Sequence, residues 1–360
     1  MSGRLVSNTP PSHVFRRFGI VLTVALLVAA LASASTPVRA QDTKSVKVVA
    51  TFSILADWVQ NVGGENIELT TIVPAGGNAH TFDPSPEQVA SIADADLIFE
   101  IGIGFESWLD DMYDASGSTA ERVVVSEGVV LAAGEDSHEG EEHAPESASP
   151  EADAHADEGD EHANEGVEHG HGENDPHIWG NVTNAMSAVD VINTHLNEVD
   201  PDNAADYDAN TAAYVTELEE LDAYVQEATG SIPDDMRKLV TTHDTFGYYA
   251  NAYDFVVVGT ALNSLSTEGG DPPASEIAAL VSEIQEQDVP AIFAENVSNN
   301  DLMQTIADEA RVTLAPPLYT DALGEPGSEG DTYIAMMTYN TDTIVTALGG
   351  ESARRITRVS

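Results

Sequence analysis

The chain has 360 residues, 42% of them hydrophobic, enough for a sizeable core, and its 62 acidic against 13 basic side chains give a formal net charge of −49. That balance excludes nucleic acid and anionic membrane surfaces as partners, because phosphate is held by Lys and Arg. There is no cysteine, which removes disulfides, thiolate metal sites and a cysteine-linked lipid anchor, and leaves His, Asp, Glu and carbonyl oxygen as metal donors.

Arg16 and Arg17 precede an apolar run, GIVLTVALLVAALASA (Gly19 to Ala34), and small residues ending in Val38-Arg39-Ala40. This is the layout of a secretory signal, residues 1–40, cleaved near Ala40. The run is almost long enough to be a membrane anchor, but its small-residue end favours cleavage. The arginine pair leaves both the Sec and the twin-arginine route open. An exported, lipid-free chain points to the periplasm.

Beyond it, VKVVATF (Val46 to Phe52) predicts a buried strand leading into the helix ILADWVQNVG. IELTTIVP, DLIFEIG and RVVVSEG repeat the short β-branched theme, with SPEQVASIADA as a helix between them. From about residue 135 to 174 the composition changes sharply. Glu135 to Asp175 carries 16 acidic residues, no Lys or Arg and six histidines (His138, His143, His155, His162, His169 and His171). So little apolar surface cannot offset the entropy of ordering, so a disordered insertion is predicted.

After it, NVTNAMSAVDVINTHLNEVD and a longer stretch over 201–230 have helical periodicity, with Pro201 suited to a first helical turn. KLVTTH, FVVVGT, AIFAEN and VTLAPP then alternate with three helical segments. Alternating strands and helices predict an α/β fold with mainly parallel sheets. The expected division is an N-terminal lobe over 45–199, a linking helix over 201–230 and a C-terminal lobe over 233–350.

Open α/β sheets bind ligands at the carboxyl ends of their strands, and four loops there carry suitable side chains. His80 lies in PAGGNAHTFDPSP, a turn-rich loop where a single histidine would otherwise be a solvated surface residue. His177 stands in NDPHIWGN, where it could simply pack on Trp179. His243 follows KLVTT and precedes Asp244, an arrangement a helix N-cap could also use. Asp321 follows VTLAPP and by itself would be a turn aspartate. As a set, three imidazoles and one carboxylate suit Zn²⁺ and also Mn²⁺.

The phrases PAGGNAHTFDPSP, IGIGFESWLDDM, NDPHIWGNV, TTHDTFGYYANAY, IFAENVSNN and LYTDALG resemble the zinc/manganese substrate-binding proteins of bacterial ABC importers, over nearly all of the chain beyond the signal. The resemblance implies two lobes facing each other across a cleft, joined by a rigid helix, with His80, His177, His243 and Asp321 as metal ligands. It places Glu295 near the cleft as a second-shell candidate alongside Asp244, although by itself Glu295 would more often be a solvated strand-end residue. Some manganese-binding relatives have a carboxylate at the position of His243. Many relatives have an acidic residue and proline directly before the first histidine; Asn78-Ala79-His80 departs from that.

Relatives specific for zinc often carry a His-rich loop at the place of the insertion, so the resemblance favours zinc, with the six loop histidines as weak auxiliary donors. The expected protein is a monomeric periplasmic receptor that delivers a divalent ion, Zn²⁺ with Mn²⁺ as the alternative, to an ABC permease in the inner membrane. A sequestering protein or adhesin without a transport partner is the rival in another class. A metallohydrolase with Glu295 as general base is the enzymatic rival, and no HExxH-like spacing supports it. His195 has no partner motif and is expected to be structural.

Overall fold

The computed structural model describes residues 3, 45–131, 174–262 and 272–351. The signal segment, most of the acidic insertion and its six histidines lie outside the described residues. From Ser45 onward the chain forms one compact unit.

Its first sheet has four strands in the order β2-β1-β3-β4, with β1 Val46–Phe52, β2 Ile67–Val73, β3 Leu97–Glu100 and β4 Glu121–Val124. All neighbours are parallel, as in Val48↔Leu69 and Val48↔Leu97. A parallel sheet covered on both faces reads as a continuous apolar run, which is why VKVVATF is buried almost throughout. Helices α1 (Ser53–Gly63), α2 (Pro86–Ala93) and α3 (Leu109–Ser116) fall between these strands.

The second half pairs β5 Lys238–Thr241 with β6 Val256–Thr260, and β7 Ala291–Glu295 with β8 Thr313–Leu318, again in parallel, and β5 lies beside β7. Helices α4 (Val182–Val199) and α5 (Ala204–Thr229) precede these strands, and α6 (Gly247–Ala252), α7 (Ala274–Glu286), α8 (Asp301–Ala310) and α9 (Tyr333–Ala347) accompany them. The α/β class with parallel sheets and a long linking helix is therefore the observed one.

One boundary differs from its expectation. Helix α5 begins at Ala204, and Pro201 sits in a turn before it. The Asp200 carboxylate accepts from the Asn203 side-chain amide at 2.7 Å and from the Tyr207 hydroxyl at 2.8 Å, closing a separate turn ahead of the helix. Helix α5 is then fastened to both halves by tyrosine hydroxyls: Tyr214 donates to Asp57 of α1 at 3.2 Å and Tyr224 to Asp342 of α9.

An apolar cluster runs without a break from the first sheet through α5 to α9. Where the halves meet, Trp58 stands edge-on to Tyr333 with ring centroids 5.3 Å apart, and within the N-terminal half Phe52 packs on Trp179 at 5.1 Å. Such aromatic pairs contribute about 1 kcal/mol each beyond their buried area. The fold thus closes apolar surface around the place where the strand-end loops converge.

Candidate metal centre

His80 lies on the loop between β2 and α2. That loop ends at a capping box, in which the Ser85 hydroxyl accepts from the Gln88 amide while the Gln88 side chain accepts from the Ser85 amide. Within it the Asn78 side-chain oxygen accepts the amides of His80 (2.9 Å) and Thr81 (3.3 Å). Asn78 thereby organises the turn in which the usual acidic residue and proline are missing.

A second loop presses on His80 from β3. Gly102, Ile103 and Gly104 have φ of 77°, 49° and 83°, a left-handed run that glycine tolerates and isoleucine does not favour. The Glu106 carboxylate holds it, accepting from the Ile101 and Gly102 amides at 2.8 and 3.1 Å and from the Thr51 hydroxyl at 2.7 Å. Burial pushes the Glu106 carboxyl up to about 7 against those three donors. The loop sets Phe105 edge-on to the His80 ring at 5.0 Å, and the Trp108 indole donates to the Ala79 carbonyl at 2.9 Å.

His177 caps a short 3-10 turn, Ile178–Gly180, before Asn181 caps α4. Its Nδ1 lies 2.7 Å from Asp175, whose carboxylate also accepts the His177 amide at 2.9 Å. His243 follows β5, and its Nδ1 lies 2.6 Å from Glu295 at the end of β7; Glu295 also accepts the His243 amide at 2.9 Å and the Thr320 hydroxyl at 3.3 Å. A carboxylate on Nδ1 fixes the tautomer that leaves Nε2 as the electron-pair donor.

Both Nε2 atoms face Asp321, in the loop after β8. Asp321 Oδ2 lies 3.2 Å from His243 Nε2 and 3.4 Å from His80 Nε2, while Oδ1 lies 3.6 Å from His177 Nε2. One donor atom from each of His80, His177, His243 and Asp321 falls within 4.8 Å of the others, and all four residues are buried. Apart from those imidazole nitrogens, neither oxygen of the fully buried Asp321 side chain has a hydrogen-bond partner. A buried carboxylate is costly unless it is paired, and a cation coordinated by these atoms would complete that pairing.

The charges are arranged to match. Burial raises the Asp321 carboxyl, but His243 and His80 outweigh it and hold it well below its ordinary range. Burial lowers His243, yet Glu295 and Asp321 together carry it well above the ordinary histidine value. For His80 burial prevails over Asp321 and the value falls.

Several sequence expectations resolve here. Glu295 is not a solvated strand-end residue: it is fully buried and both its oxygens are engaged, so it is not free to act as a general base. Glu295 holds the His243 ring through Nδ1. The hold of Asp175 on the His177 ring had a legible signal, two residues before His177 in DPH, and was not among those expectations. His195 is on α4 with its Nδ1 3.2 Å from Glu121, outside this cluster. A cavity of about 910 Å³ between α5, β8 and α9 contains none of the four residues.

A family model described as zinc-uptake complex component A, periplasmic, matches residues 48–347. The chain belongs to this family. Its members are metal-binding substrate-binding proteins of ABC importers, so the enzymatic rival falls away. Similar curated proteins include a manganese-binding lipoprotein from Halalkalibacterium halodurans, 34% identical over 332 residues, covering 92% of this chain and 98% of that protein. A manganese ABC transporter substrate-binding lipoprotein from Streptococcus anginosus is 31% identical over 340 residues, covering 92% and 99%. Among solved structures, the periplasmic zinc-binding protein TroA of Treponema pallidum superposes with a TM-score of 0.68 at 26% identity, covering 84% of this chain and 99% of that one.

Proposed function

We propose that this protein captures a divalent transition metal outside the cytoplasm, between His80, His177, His243 and Asp321, and delivers it to an ABC permease in the inner membrane. The observation that carries this reading is the fully buried Asp321 carboxylate, which faces three imidazole nitrogens at 3.2–3.6 Å and has no hydrogen-bond partner outside them. Four protein donors nearly fill a tetrahedral shell, as suits an ion that is stored and passed on and not one that activates water.

Two ions compete for the assignment. The names of the curated relatives favour manganese as cargo, against the preference for zinc that the His-rich insertion suggests. The nitrogen-rich donor set binds zinc more tightly than manganese whatever is transported, by the usual order of divalent metals. Competitive titration of metal-free protein should therefore give a tighter Zn²⁺ site, while growth of a deletion strain in manganese-depleted and zinc-depleted media identifies the cargo. Failure of the metal-free protein to bind either ion would end the proposal.

The lobes are assigned to 45–199 and 233–350, with the 201–230 segment between them. Docking of the permease would release the ion by a modest shift of the loops around it, since the tyrosine ties of α5 oppose a large hinge. The protein is read as a periplasmic monomer; several relatives are named lipoproteins, whereas this sequence has no cysteine to carry a lipid. The acidic insertion is assigned weak, multiple-ion binding. Deleting Glu135 to Glu173 should preserve the tight site and lower only the weak stoichiometry seen by calorimetry; loss of the tight site would refute that division.

A further inference from the structure

Asp321 differs from the two histidines that carry carboxylate partners. The rings of His177 and His243 are each held through Nδ1 by a carboxylate outside the cluster, whereas no donor outside the imidazole cluster holds either Asp321 oxygen. The position of that carboxylate is therefore inherited from its backbone, and the backbone on both sides of it is held by one side chain. The Asn296 side-chain oxygen accepts the Thr320 amide at 3.1 Å, and the Asn296 side-chain NH₂ donates to the Ala322 carbonyl at 3.1 Å. Asn296 follows Glu295 at the end of β7, and its own amide donates to Leu318 at 2.9 Å, so the clamp is rooted in the β7–β8 pairing.

We propose that Asn296 is a positioning residue that sets the metal site by clamping the peptide groups on either side of Asp321. Only a side-chain amide of this length offers an acceptor and a donor together, as the two bonds require. Aspartate keeps the acceptor and sets a negative oxygen against the Ala322 carbonyl. Leucine supplies neither bond. The clamp also bears on which ion is held. It keeps both Asp321 oxygens turned toward the imidazole nitrogens, an oxygen-richer shell that suits Mn²⁺. A loosened loop would present one oxygen, enough for four-coordinate Zn²⁺.

The inference rests on the metal-receptor reading above. It is tested on the full chain with Asn296→Asp and Asn296→Leu, using Zn²⁺ and Mn²⁺ competition, the visible spectrum of the Co²⁺-loaded protein and melting of the metal-free form. N296L should weaken Zn²⁺ about 10-fold and Mn²⁺ about 100-fold, the range seen when the supports of metal ligands are removed. N296D should lie between wild type and N296L. The Co²⁺ spectrum should change in N296L while the metal-free melting temperature stays within a few degrees of wild type. Unchanged affinities and an unchanged spectrum would overturn the inference. So would equal losses for both ions accompanied by a matching fall in metal-free stability, which mark a residue that only supports the fold. A wild-type protein that binds neither ion refutes the receptor reading itself, so the two failures are distinct.

Discussion

Replacing His177 by alanine should lower the affinity for one tightly held ion by about two to three orders of magnitude. Metal held by four protein donors is worth roughly 10–16 kcal/mol. A quarter of that is about 2.5–4 kcal/mol, and each 1.4 kcal/mol is a factor of ten. The loss is not confined to one bond. His177 also partners Asp175 through Nδ1 at 2.7 Å and packs edge-on against Trp179 at 5.2 Å. Its removal leaves Asp175 short of a partner and opens the apolar wall between the site and solvent. His195→Ala provides the control, because His195 pairs with Glu121 at 3.2 Å and takes no part in the cluster. Competition titration of both variants with Zn²⁺ checks the contrast. Near-wild-type binding by H177A would remove His177 from the ligand set.

Metal uptake should release about one proton per ion at neutral pH, and affinity should fall about tenfold for each pH unit below that. The proton comes from His243. Burial disfavours its charge, but Glu295 and Asp321 hold its value well above the ordinary one, so the metal-free protein carries a proton that the ion must displace. His80 contributes none at neutral pH, since burial lowers its value. The metal-free fold has the opposite slope. A histidine whose value is raised by folding stabilises the fold fully below its unfolded value of about 6.5, and that contribution is lost as pH rises through the folded value. Asp321, depressed by His243 and His80, acts only in acid, where its contribution disappears as pH falls through its lowered value. From pH 7 to 9 the melting temperature of metal-free protein should therefore decline while the stabilisation by added Zn²⁺ grows. Calorimetry in buffers of different ionisation enthalpy counts the protons; none released at pH 7, with affinity flat from pH 6 to 8, would contradict the assignment.

Much of this site was legible before any fold was known. Short, largely apolar runs ended near the ends of β1, β2, β5, β7 and β8, and the ligand candidates followed three of those ends. Helix limits were less legible. Pro201 had the chemistry of a first turn, yet the Asp200 carboxylate drew Asn203 and Tyr207 into a separate turn. The supports of the ligands were the least legible. Glu295 reaches His243 across 52 residues, and the indole of Trp108 reaches Ala79 across 29. Asn296 gave no signal at all, because an asparagine after a strand is an ordinary turn residue.

The sequence by itself determined the chemistry available to this protein. With no cysteine and with histidines on strand-end loops, it could offer a cation only imidazole, carboxylate and carbonyl donors, and the phrases around them carried the family resemblance. Tertiary structure decided which of those donors act together. Spacing along the chain cannot bring loops from residues 80, 177, 243 and 321 to within 4.8 Å; parallel sheets and the apolar contacts between the two halves do. Burial then gives the site its strength, since water no longer competes for the Asp321 oxygens. The carboxylates on His177 and His243 and the amide of Asn296 hold the atoms in place, and those contacts exist only once the chain has folded.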